Sequence, residues 1–175
     1  MKNELMNQSI NRLNELAADN AEAEFVKCCG STRWAQAMTA ARPFNAIDDL
    51  LAKADSIWWS LDKEDWLEAF RAHPKIGEKK AAAIQSEQAR SWSAEEQSAA
   101  SRATAEVLSA LVDGNREYEQ RFGFIYIVCA TGKSSEELLR IMQARLKNDP
   151  ETELRNAADE QRKITRLRLE KLLNP

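Results

Sequence analysis

An all-α fold, a single bundle-like helical domain over residues 1–175, is what the sequence predicts. Apolar residues recur at spacings of three and four through most of the chain, the period of a helix with one buried face. Gly30, Pro43, Pro74, Gly77, Gly123, Gly132 and Pro150 fall as punctuation between the periodic segments. Ser, Asp and Asn stand where helices would begin, ready to cap their first amides.

The elements follow in order. Ser9 to about Ala18 aligns Ile10, Leu13, Leu16 and Ala17, and Ala21–Cys29 is a short second helix. Ser31 caps a third with Trp34, Ala37 and Met38 inward, ended by Arg42-Pro43. Asn45 caps a fourth through Ile47, Leu50, Leu51, Ala54, Ile57 and Trp58, and Asp62 opens a fifth that runs into His73. An Ala-rich, charged stretch leads to about Arg90. Ser93-Ala94-Glu95-Glu96 then has the S-x-x-E pattern of a capping box, predicted to open a long helix with Val107, Leu108, Leu111 and Tyr118. Ser134-Ser135-Glu136-Glu137 repeats that pattern, and Pro150 suits the first turn of a last helix reaching Leu173. Phe124–Ala130 breaks the pattern. It is apolar and β-branched without a helical period, and is predicted as one short irregular or extended buried segment near 124–130. A lone strand would have no partner, so no sheet is expected.

Composition narrows the classes of function. Hydrophobic residues make up 43% and charged residues 30%, with a net charge of −3, so no basic footprint for nucleic acid is present. No apolar run approaches the roughly 20 residues of a membrane span. Met1-Lys2-Asn3-Glu4-Leu5 lacks the apolar core of a signal peptide, and the expected location is the cytoplasm. Cys28, Cys29 and Cys129 form neither a disulfide framework nor, with one histidine, a zinc ligand set, so no metal site is expected. Phosphate loops, G-x-S-x-G and Cys-His nucleophile patterns are absent, and no motif implies a cofactor.

Two motifs can carry chemistry. His73 is the only histidine, and imidazole exchanges protons near neutral pH. Pro74 fixes its own φ and biases His73 away from the helical region, which sets the ring on a rigid corner at a helix end. A helix C-cap histidine followed by a stop-proline would give the same letters. The second motif is Ser93-x-x-Glu96-Gln97, where a capping box and a ligand seat at a helix N-terminus are compatible readings.

Taken together, the motifs resemble those of the 2-oxo-4-hydroxy-4-carboxy-5-ureidoimidazoline (OHCU) decarboxylase family, in its bacterial branch. The resemblance runs nearly end to end. It includes Cys28-Cys29-Gly30-Ser31-Thr32-Arg33-Trp34-Ala35, Arg42-Pro43-Phe44, His73-Pro74-Lys75-Ile76-Gly77-Glu78 and Trp92-Ser93-Ala94-Glu95-Glu96-Gln97. It continues through Asn115–Gly123, Arg145-Leu146-Lys147-Asn148 and Lys163–Leu169. The resemblance implies a helical homodimer without cofactor, acting on a small ureidoimidazoline and yielding (S)-allantoin. It implies His73 and Glu96 as catalytic residues. It further implies substrate binding by Pro74, by Ser93, Ala94, Glu95, Glu96 and Gln97, and by the backbone of Tyr126, Ile127, Val128, Cys129 and Ala130. Ser86-Glu87-Gln88 also offers a Glu-Gln pair, but Ile84 stands where the family has its serine, so Glu96-Gln97 is the expected pair. A non-catalytic helical interaction module, or another ureide-processing enzyme with the same pocket, are the alternatives that the residues leave open.

Overall fold

The computed structural model describes residues 2–77, 86–98 and 103–174. Among these no strand occurs, and the α-helices are α1 Lys2–Glu15, α2 Ala18–Cys28, α3 Thr32–Ala40, α4 Ile47–Ser60, α5 Lys63–Arg71, α6 Glu87–Glu96, α7 Ala105–Phe122, α8 Ser135–Arg145 and α9 Pro150–Leu173. The chain forms two compact units. Residues 1–69 and 162–175 make the first, and residues 70–161 the second.

In the first unit the helices end where side chains can answer the unpaired backbone groups. Ser31 accepts from the Trp34 amide. Asp62 accepts from the amides of Glu64 and Asp65 at 3.1 and 3.3 Å. The Arg42 guanidinium closes the other end of α1, donating to the carbonyls of Leu13 at 3.0 Å and Leu16 at 2.7 Å. Asn45 does not cap α4 as expected. The N-cap is Ala46, without a side-chain bond, and Asp49 reaches back to accept from the Asn45 amide at 3.0 Å. That bond ties the chain before the N-cap to the first turn, but no side chain caps the first amides of α4. Phe25 packs edge-on against Trp34 and Phe44, and the indole N–H groups of Trp34 and Trp66 donate to Ala54 O and Trp58 O. Cys28 and Cys29 are fully buried in this core.

In the second unit the predicted capping box at Ser134 is present, with both hydrogen bonds to and from Glu137. The one at Ser93 is not. Ser86 caps α6 instead, accepting from Ala89 N, and Ser93 lies in its last turn, where Gln97 N donates to Ser93 O. The predicted long helix starts at Ala105, capped by Thr104. An S-x-x-E string caps only where the serine backbone is non-helical, and here the helix has begun two turns earlier. The Ala-rich stretch after Gly77 lies outside the described residues as far as Gln85. Gly114 departs from the punctuation pattern by lying inside α7, where a Cβ would collide with the Met142 thioether of α8. Segment 124–130 is non-helical and almost wholly buried, as expected.

A charged group set holds that segment. Arg145 NH1 donates to Ile127 O at 2.7 Å, Nε donates to Glu153 Oε1 at 2.7 Å, and the ring of Tyr126 lies 5.0 Å from the guanidinium. Tyr118 OH donates to the same Glu153 oxygen, and Asn148 Nδ2 donates to Oε2 at 2.8 Å. Glu153 is 0% exposed. Arg145→Met strands this carboxylate without its cation, and should destabilise the protein by about 3–5 kcal/mol in urea unfolding.

The buried thiols give a second expectation. Burial pushes Cys29 up to about 11 and raises Cys28 further still. A thiol ordinarily titrates near 8.5, so its contribution to stability is fully present below that pH and is lost as pH rises through the folded value. The free energy of unfolding from urea titration should fall from about pH 8.5 upward, by about 1.4 kcal/mol per pH unit per thiol. Cys29→Ala should flatten that slope.

Candidate active site

The site is built from the turn after α5, the last turn of α6, segment 126–130 and the middle of α9, all within the second unit. The His73 amide closes the last turn of α5 on Phe70 O at 3.1 Å, and Pro74 ends the helix, so the ring stands at the corner the sequence predicts. The turn is held residue by residue. Lys75 pairs with Glu119 at 2.7 Å, Asn115 Nδ2 donates to Ile76 O at 2.8 Å, and Gly77 N donates to Gln97 Oε1 at 3.4 Å. Gly77 adopts φ +81°, a conformation that a side chain would strain. Glu78, the last residue of the motif, lies outside the described residues.

His73 is half-buried, and its Nε2 lies 2.6 Å from Oε1 of Gln161, which is fully buried on α9. The neighbouring Glu160 accepts from the Cys129 amide at 2.7 Å, while Lys133 donates to Cys129 O at 2.7 Å. Burial raises the Cys129 thiol. The carboxylates of Glu160 and Glu96 raise it as well, while Lys133 opposes them. The same pair of acids therefore acts on segment 126–130 from α9 and from α6.

The expected residues are thus partly gathered. Gln97 meets the His73 turn, and the Glu96 carboxylate acts on the Cys129 thiol. Glu96 and Gln97 are half-buried and Ser93 is buried, whereas Ala94 and Glu95 are exposed. Glu87 and Gln88 are exposed in the first turn of α6. The helix N-terminus expected at Ser93 is in fact a C-terminus, whose dipole end does not favour an anion. Tyr126 spends its hydroxyl on Leu138 O at 3.1 Å. Ile127 O and Cys129 N are occupied by Arg145 and Glu160, which presents the segment in one fixed shape.

Gln161, Glu160 and Lys133 carry no signal in the sequence. They read as polar positions on an amphipathic helix and in a turn. Asn115 and Arg145 stand within quoted motifs, yet their roles emerge only from the carbonyls they bind. Among the described residues, no group of three or more His, Cys, Asp and Glu side chains could hold a metal ion, and no helix is long and apolar enough to cross a membrane.

The sequence model of a family described as OHCU decarboxylase matches residues 14–170. The 2-oxo-4-hydroxy-4-carboxy-5-ureidoimidazoline decarboxylase of Haloferax volcanii is 31% identical over 167 residues, covering 95% of both chains. The uric acid degradation bifunctional protein TTL of Arabidopsis thaliana is 38% identical over 160 residues, which span 91% of this chain but 49% of that protein. The chain thus spans about half the length of that relative. A crystal structure of an OHCU decarboxylase in the presence of (S)-allantoin superposes with a TM-score of 0.75 at 36% identity, covering 87% of this chain and 98% of the other.

Proposed function

The chain belongs to the OHCU decarboxylase family, and from that premise we propose that it decarboxylates 2-oxo-4-hydroxy-4-carboxy-5-ureidoimidazoline to (S)-allantoin in urate degradation. The observation that carries the reading is that the His73 turn meets Gln97, while Gln161 and Glu160 of α9 engage His73 and segment 126–130, all within one compact unit. The catalytic domain is taken as residues 1–175, acting as a cytoplasmic homodimer. Placement in the bacterial branch rests on the run of motifs alone, since the relatives named above come from a plant and an archaeon.

The chemistry needs no external electron sink. As the C–C bond to the carboxylate breaks and CO₂ leaves, its electron pair becomes a carbon–carbon double bond, and the neighbouring C=N pair moves onto nitrogen, which takes up a proton. The hydroxyl then gives up its proton to become the ring carbonyl, and the ureido-bearing carbon gains one on a single face. In this reading His73 accepts the hydroxyl proton and assists its return, general acid–base help of about 10²–10⁴-fold. Pro74 keeps the ring at its corner. Glu96 holds ring or ureido N–H groups. Ser93, Ala94, Glu95 and Gln97, with the backbone from Tyr126 through Ala130, orient the rest of the substrate.

The test uses substrate generated freshly from urate by oxidation and hydrolysis. Added protein should accelerate the ultraviolet decay and give optically active (S)-allantoin; unchanged decay to racemic product would refute the reading. His73→Asn should lose at least about 10²-fold in kcat while still unfolding cooperatively in urea as a folded protein. Glu96→Gln should lose far more activity than Glu87→Gln, measured in the same assay with thermal stability in parallel. The reverse order would identify Glu87-Gln88 as the functional pair.

A further inference from the structure

The geometry points to Gln161 as the positioning residue for His73: its side-chain carbonyl holds the hydrogen on Nε2 and so makes Nδ1 the basic atom of the imidazole. The inference rests on the proposed decarboxylase reading for its consequence, and on the structure for its geometry. Gln161 Oε1 lies 2.6 Å from His73 Nε2, and Gln161 is 0% exposed. An amide oxygen can only accept, so the ring nitrogen facing it must donate. In a neutral imidazole one nitrogen donates and the other accepts, which places the lone pair on Nδ1.

The partner's neutrality has a second effect. When Nδ1 takes a proton, both ring nitrogens become donors, and the Nε2–H···O bond to Gln161 persists. The ring can gain and lose a proton at Nδ1 without turning. A carboxylate in the same place would hold the ring too, but it would also favour the imidazolium and oppose release of the proton. Glu160, the adjacent acid, is committed to the Cys129 amide at 2.7 Å, so the neutral side chain of the Glu160-Gln161 pair is the one turned to the histidine.

One histidine in the chain makes the test unambiguous. In ¹⁵N-labelled protein without substrate, the neutral imidazole should show Nε2 protonated, with a slowly exchanging downfield N–H signal at that nitrogen. Gln161→Met removes the acceptor and should abolish the protected signal. It should also lower kcat by about 10–100-fold, by analogy with the partners that orient metal-ligating imidazoles. Gln161→Glu retains an acceptor oxygen and should keep the signal. A neutral tautomer protonated at Nδ1 in the wild type would overturn the inference. So would a Gln161→Met protein that folds, keeps the protected N–H and retains wild-type kcat. The spectra are recorded without substrate. A wild type that shows the Nε2–H signal yet fails to decarboxylate would uphold the tautomer assignment and refute the proposed reaction.

Discussion

A buried guanidinium must have every hydrogen answered, and Arg145 has found its answers in an arrangement that organises the second unit. Glu153 supplies the charge, Ile127 a carbonyl, Tyr118 a hydroxyl and Tyr126 an aromatic face. A pair of this kind is not a large net source of stability, because desolvation offsets much of the Coulomb attraction. Its value is geometric. Few arrangements of α7, α8, α9 and the segment before α8 satisfy all these bonds together, whereas apolar packing alone tolerates many. The non-helical segment 124–130 has no ladder to hold it, so side chains take the place of a neighbouring strand.

The site inherits this order at one remove. No residue of the His73 turn touches Arg145 in the bonds described, yet segment 126–130 is held by Arg145 at Ile127 and by Glu160 at Cys129. The turn itself is held from α7 by Asn115 and Glu119, from the end of α6 by Gln97, and from α9 by Gln161. Supporting a functional ring from several separate elements is what keeps it within the narrow geometric tolerance that proton transfer demands.

Much of this was legible in the sequence where the cause was local. Ser31 and Ser134 are caps because the competition is settled within four residues, and Pro74 ends α5 at the histidine for the same reason. The all-α class followed from a period repeated over the whole chain. Ser93 failed because its letters match a cap while the start of its helix is decided upstream at Ser86, whose own string lacks the acid that would complete the box. Gln97 reaches Gly77, whereas Glu87 and Gln88 lie exposed in the first turn of α6. Gln161 was illegible. It is separated from His73 by 88 positions, and on an amphipathic helix nothing distinguishes it from any other glutamine.

The bonds of α9 have a consequence for how the chain can vary in length. Glu153 is anchored to Arg145, while Glu160 and Gln161, about two turns further along the same helix, engage Cys129 and His73. A helix is a rigid screw of about 100° per residue. Losing one residue between these points would turn Glu160 and Gln161 a quarter turn or more out of phase with their anchor, and a compensating shift of 1.5 Å along the axis could not restore them. The number of residues between these points is therefore fixed by the screw of the helix. The helix acts as a calibrated spacer, and insertions that a surface loop would absorb have no place to go here.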